Sequence, residues 1–308
     1  MTKKISQRQM ILFLKGFAMG TADIVPGVSG GTVALITGIY NELVKTVGSF
    51  DHKFLKILLS FNLKKILEAA NAKFLIPLGI GIASSILLMA RLMHHLLDVY
   101  PTYTWAMFFG LILASILFIL RTVNNVTHPK NLFSIILGTI LGYMVVSLIP
   151  VDTPETYLAV LLSGIVAICA MILPGISGSF ILLILGKYYF ITSMLKNPFV
   201  GDHLIYLSVF AVGCGFGLLT FSKVINYLLE KFHGITMCIL IGFMIGSLKK
   251  VWPWKTIVDS KLVNGKLKVL TDSPFMPSEL NSDVIVAFVI MLVGFSTVYI
   301  IEKLSHKS

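Results

Sequence analysis

The segment PGVSGGTVALITGIY at residues 26–40 returns as PGISGSFILLILGKY at residues 174–188, identical at eight of fifteen positions after a shift of 148 in a chain of 308 residues. A shift of nearly half the length points to internal duplication rather than local coincidence. Each copy sets a Pro-Gly break and small residues directly before an apolar helical run. The fold must therefore hold two related broken-helix units.

The surroundings of these units decide the class. Apolar residues make up 56% of the chain and charged ones 13%, with a mean hydropathy of +0.90. A soluble domain of this length needs a more polar surface, so the expected fold is an all-α polytopic membrane protein. The basic start MTKKISQRQM is followed by no small-residue cleavage site, and no cleavable signal is expected. Cys169, Cys214 and Cys238 stand singly inside apolar runs and read as buried thiols. No metal or other cofactor is expected, and nucleic acid is not an expected partner.

Ten apolar elements follow from a coarse pass, five in each half. The first half, residues 1–150, has 10–22, 24–40, 74–92, 104–120 and 132–150. The second half, residues 151–308, has 157–173, 174–191, 203–221, 233–248 and 283–301. Several can cross a hydrocarbon layer of ~30 Å, which takes ~20 helical residues. The first extends only about 20 Å at 1.5 Å per residue before Pro26 and Gly27 interrupt it. Such a pair is a re-entrant hairpin or a broken spanning helix, and either leaves irregular backbone at membrane depth.

Charge sets the expected topology. Lys3, Lys4 and Arg8 at the start, and Lys45, Lys53, Lys56, Lys64, Lys65 and Lys73 in the linker 41–73, belong in the cytoplasm by the positive-inside rule. The elements between them make zero or two crossings. Three further helices bring the chain out at the acidic stretch VDTPET, 151–156, so the second half starts outside and ends inside. Odd crossings per half imply two inverted five-element repeats, a transporter plan. The segment 249–282 then lies outside as an external lobe despite six lysines, and both termini are cytoplasmic. The stretch 52–70 mixes Phe54, Leu55, Leu58, Phe61 and Ile66 with its charges and is compatible with lying on the inner membrane surface.

The strings GFAMGTADIVPGVSGGT, FFGLILASI, AMILPGISGSF and GSLKKVWPW, spread from residue 16 to residue 254, resemble those of the bacterial polyprenyl-phosphate transporter family. Four separated motifs in order make the likeness specific, and it covers essentially the whole chain. The resemblance implies a protein of the bacterial cytoplasmic membrane that returns undecaprenyl phosphate, a lipid carrier of cell-wall synthesis, from the outer to the inner leaflet.

The residues suit such a substrate. A transporter has only to shelter the compact anionic head while the apolar tail stays in lipid. A helix N-terminus, with unpaired N–H groups and the positive end of its dipole, favours an anion. Pro26 can start a helix, Gly27, Gly30 and Gly31 allow close backbone approach, and Ser29 and Thr32 add hydroxyls. Gly175, Ser177, Gly178 and Ser179 repeat the arrangement, so two facing N-termini near the midplane can form one head-group site. The same small residues also suit a tight packing corner. Gly213, Gly215, Gly217, Gly242 and Gly246 have small-residue spacing without a break and read as helix packing.

Asp23 fills the one-residue gap between the first two apolar elements, three residues before Pro26, whereas Asp283 only opens the last element. Asp23 is the candidate for binding a coupled proton or Na⁺, with helix capping as its alternative role. Its counterpart in the second copy is Met171. Arg91 is the arginine chosen to offset the phosphate charge. Arg91 and Arg121 can equally snorkel to head groups as anchors, and Lys15 and Lys187 are weaker candidates. Trp252 and Trp254 read as an interfacial belt. No nucleophile-and-base or metal constellation for an enzyme stands out. The remaining rival is a channel or ion-coupled transporter of a small inorganic anion. A homo-oligomer is compatible with the sequence.

Overall fold

The computed structural model describes residues 2–24, 28–50, 52–151, 153–263 and 266–305. The first half comprises α1 (Thr2–Ile24), α2 (Gly30–Ile36), α3 (Tyr40–Gly48), α4 (His52–Leu58), α5 (Leu63–Ala69), α6 (Ala72–Val99), α7 (Pro101–Thr122) and α8 (Pro129–Val146). The second comprises α9 (Tyr157–Ile172), α10 (Gly178–Ile184), α11 (Tyr188–Lys196), α12 (His203–Lys231), α13 (His233–Ser247), the strands β1 (Lys255–Val263) and β2 (Lys266–Pro274), and α14 (Ser282–Ser305). The bounds of α2 and α3 reappear in α10 and α11 at the same shift of 148 residues that relates the sequences.

Among the described residues five helices are long and apolar enough to cross a membrane: α6, α7, α8, α12 and α14. The pair α10 and α11, bent by 115°, makes a sixth if counted as one span. Leu87 (80% exposed), Phe133 (66%) and Val212 (64%) point outward, as side chains facing lipid do.

The helices pack in parallel pairs along glycines. Gly16 and Gly20 of α1 meet Leu78 and Ile82 of α6, so the two indices rise together. In the second half Gly164 meets Phe210 and Gly217 meets Ile165 and Ile168, so α9 and α12 are likewise parallel. The other pairs cross between halves. Gly138 and Gly142 of α8 face Ile239 and Phe243 of α13, and α7 runs parallel to α14, with Tyr103 bonded to Asp283 near their starts and Gly110 against Met291 further on. Small residues let these backbones touch where lipid supplies no hydrophobic drive. Gly213, Gly217, Gly242 and Gly246 pack this way, whereas an added Cβ at Gly215 would meet nothing within 4 Å.

Several expectations are corrected. The first helix is not short, because Lys, Gln and Arg are good helix formers and extend α1 through the polar start to 23 residues. The apolar stretches 24–40 and 174–191 are each divided between two helices. The segment 249–282 carries an antiparallel hairpin, so the chain is mostly rather than wholly helical. Asn264 and Gly265, a turn signal, lie outside the described residues. Trp254 is not a belt residue: it is 7% exposed, packed on Ala106, Val284 and Ala287. The turn after Trp252 folds back onto α7 and α14, where Trp252 meets Phe109 and donates to the Phe275 carbonyl at 2.9 Å. Cys238 is buried, but Cys169 and Cys214 are only half-buried. Arg121 is exposed in the last turn of α7.

Candidate functional site

The first motif is organised by its serine rather than its proline. Ser29 is extended (φ −120°, ψ 135°) and caps α2, accepting from the Gly31 N–H at 3.1 Å. Serine suits that position because its hydroxyl satisfies one of the free N–H groups of a helix start. Pro26 therefore does not begin the helix, and Pro26 and Gly27 lie outside the described residues. The adjacent Gly30 N–H donates to Asp23 Oδ1 at 2.7 Å. Both leading amides of α2 are thus engaged by the chain itself, one of them by a carboxylate.

The second motif repeats the backbone but not the partners. Ser177 is again extended (φ −102°, ψ 133°) at the start of α10, yet its hydroxyl pairs with that of Ser179 at 2.8 Å and caps no amide. Gly175 turns the chain with φ +87°, a conformation that favours glycine. Met171 stands where Asp23 stands in the first copy, so no carboxylate repeats the Asp23 bond.

The two copies meet. The Gly175 N–H donates to Thr32 Oγ1 at 2.9 Å, Ser29 Oγ donates to the Met171 carbonyl at 3.1 Å, and Tyr40 OH donates to the Ile172 carbonyl at 3.2 Å. The start of α2 is therefore set against the last carbonyls of α9, which join opposite ends of two helix dipoles. The seam is tight: a Cβ on Gly31 would lie 2.9 Å from the Ile172 carbonyl oxygen, and Ser29, Thr32 and Ser177 are 0%, 1% and 4% exposed.

Of the residues singled out in the sequence, Asp23, Ser29, Gly30, Gly31, Thr32 and Gly175 are brought into one seam. Ser177, Gly178 and Ser179 follow in the next turn of the second copy, with Gly178 close against the Ala167 carbonyl. Arg91 is exposed on α6 and has no hydrogen bond to either motif among the described residues. Lys15 donates to the Thr37 carbonyl at the end of α2 at 2.6 Å. Lys187 is not an exposed anchor: it is 1% exposed and donates to the Thr153 carbonyl, because Val151 and Thr153 bond to the carbonyls of Ile184 and Leu185 at the end of α10.

Sequence reasoning missed a basic cluster beside the second motif. Gly175 packs on Ser247 and Met244 in the last turns of α13, and the next turn carries Lys249 and Lys250. Lys249 donates to Ser147 Oγ at 2.7 Å and lies 4.5 Å from the Tyr143 ring centre. Lys250 lies 4.9 Å from the Phe180 ring centre in α10 and pairs with Asp272 at 3.3 Å. Lys255 lies 3.9 Å from the Trp105 ring centre and shares Asp272 at 3.7 Å. Burial pushes the Lys255 pKa down to about 7, against an upward pull from Asp272 and with a further downward push from Lys250. The signal was the KK pair itself, which reads in one dimension only as an objection to topology.

Fold and seam define a polytopic helical membrane protein centred on two joined broken-helix motifs. Residues 19–267 match the family described as VCA0040-like, undecaprenyl phosphate translocase-like, and the chain belongs to that family. It is 39% identical over 302 residues to a polyprenyl-phosphate transporter of Vibrio cholerae serotype O1, covering 96% of each chain. It is also 35% identical over 265 residues to a polyprenyl-phosphate transporter of Staphylococcus aureus, covering 81% of this chain and 88% of that one. No solved structure matches the chain.

Proposed function

We propose that this protein translocates polyprenyl phosphate, undecaprenyl phosphate in the bacterial setting, from the outer to the inner leaflet of the cytoplasmic membrane and so recycles the envelope lipid carrier. The names of its relatives support the substrate class. The observation that carries the mechanism is the seam in which Thr32 of one motif copy accepts from Gly175 of the other.

Helix directions support inverted repeats of residues 1–150 and 151–308. Helices α7 and α8 are spans joined by a short connection and so run opposite ways; α14 parallels α7 and α13 parallels α8. The third, fourth and fifth elements of the second half then run opposite to their counterparts in the first. On this reading the pairs α1–α2 and α9–α10 break at membrane depth, and each short helix returns toward its own side. The loops at 100, 147–156 and 249–282 share the outer face, leaving both termini and 49–71 inside.

The lipid phosphate takes the place that Asp23 and the α9 carbonyls hold at the start of α2, with Ser29, Gly30, Gly31 and Thr32 on one side. Gly175, Ser177, Gly178 and Ser179 contribute from the other, Gly27 lies in the first break, and Arg91 offsets charge from α6. The seam opens to admit the head group, and movement of one repeat against the other turns it from leaflet to leaflet. Protonation of Asp23, or Na⁺ at its carboxylate, removes the resident negative charge and couples transport to an ion. The tail stays in membrane lipid, and a homo-oligomer is compatible with this arrangement.

The test is movement in proteoliposomes of undecaprenyl phosphate, its diphosphate and inorganic phosphate. The expected order places the monophosphate lipid first. Preference for inorganic phosphate would transfer the assignment to a small-anion transporter.

A further inference from the structure

We infer that the recess between the ends of α8 and α13 and the first turn of α10 is a second anion site, where a phosphate monoester docks before it reaches the motif seam. The inference rests on the lipid-phosphate reading above, and it assigns to Lys249 and Lys250 the capture of the head group. The recess is lined by Val146, Ser147, Phe180, Lys249, Lys250 and Asp272, among others.

Three features suit this recess to an anion. The first is charge: Lys249 and Lys250 line the recess with one carboxylate, Asp272, which Lys255 also pairs with at 3.7 Å. The second is preorganisation, because the ammonium groups of Lys249, Lys250 and Lys255 each lie over an aromatic ring, of Tyr143, Phe180 and Trp105. An ammonium held on a ring face is partly desolvated yet keeps donors for an oxyanion. The third is position. Phe180 lies two residues beyond Gly178, and Gly175 packs on the α13 turn that precedes the lysines, so an anion leaving the recess has the second motif as its neighbour.

Asp272 acts as the resident anion of the recess, as Asp23 does at α2. A phosphate carrying close to two negative charges competes for Lys250 and displaces it. The side chains facing the bound group are Lys249, Lys250, Asp272 and the Ser147 hydroxyl, with Lys255 paired to the same carboxylate from outside the lining.

Equilibrium binding of farnesyl phosphate and of inorganic phosphate to the full chain in nanodiscs, by titration calorimetry, tests the proposal. Lys249→Gln and Lys250→Gln are each expected to weaken farnesyl phosphate about tenfold, as for loss of a charge-assisted bond. Asp272→Asn is expected to strengthen it several-fold, and Lys250→Arg to restore most of the loss. A merely structural ion pair predicts the opposite for Asp272→Asn, which would then weaken binding as the lysine variants do; that result, or unchanged affinity in the lysine variants, overturns the proposal. Farnesyl phosphate is expected to bind more tightly than inorganic phosphate, and equal affinity would overturn the lipid assignment. A wild-type chain that moves no polyprenyl phosphate defeats the functional reading instead, whereas wild-type movement with lysine-independent binding defeats this site alone.

Discussion

The main-chain N–H of Gly175 donates to the Thr32 hydroxyl at 2.9 Å, a bond between residues 143 positions apart that ties one motif copy to the other. Both groups are buried. Thr32→Val keeps the shape and removes the acceptor, leaving a buried N–H unpaired at a cost of ~1–3 kcal/mol. Thr32→Ser keeps the acceptor and is expected to unfold near the wild-type temperature. Thermal unfolding in detergent distinguishes the two, and equal stability of Val and Ser variants would show that the bond contributes nothing.

Gly31 tests closeness rather than polarity. Its added Cβ would lie 2.9 Å from the Ile172 carbonyl oxygen and 3.1 Å from that of Met171, and both are backbone atoms that yield only if α9 moves. Gly31→Ala is expected to destabilise by ~1–3 kcal/mol, as overpacking of a tight contact does, and to slow lipid movement. A variant as stable and as active as wild type would mean that the seam is looser than described.

Asp23→Asn retains an oxygen for the Gly30 N–H while removing the charge. The fold is expected to survive within about 1 kcal/mol, since the neutral acceptor still satisfies the amide. The proposed coupling predicts that the ion dependence of transport is what changes. Initial rates measured across pH and with or without Na⁺ should lose the wild-type dependence, and an unaltered profile would reduce Asp23 to a cap.

Lysine titration gives the recess a signature. With the Lys255 pKa lowered to about 7, its charge is present below that pH and lost above it. Farnesyl phosphate gains its second charge as pH rises through ~6, so affinity is expected to rise and then fall across pH 6–8. In Lys255→Gln the rise remains and the fall disappears. The groups sharing the recess, Lys249, Lys250 and Asp272, are present in both proteins, so the difference belongs to Lys255.

Much of this was legible in one dimension. The repeat read from PGVSGG and PGISGS returns residue for residue in the bounds of α2 and α10, each of which opens directly after an extended serine, Ser29 or Ser177. Proline placement was not, since a Pro at the first helical turn and a Pro ahead of a serine cap look alike in sequence. The joining of Thr32 to Gly175 could not be read either: repetition says that two units are similar, while tertiary packing decides whether they touch. The placement of Lys249 and Lys250 was not legible either, because counting charges ignores the rings of Tyr143 and Phe180 that hold them.

The most direct measurement is the initial rate of undecaprenyl phosphate movement in proteoliposomes for wild type and Ser177→Leu, with unfolding temperature recorded on the same samples. Ser177 caps no amide and bonds to Ser179 within its own motif, so the change removes no hydrogen bond between the two copies and fills the second motif with an apolar side chain. The account predicts a folded protein that moves no lipid. A folded Ser177→Leu protein working at the wild-type rate would contradict it.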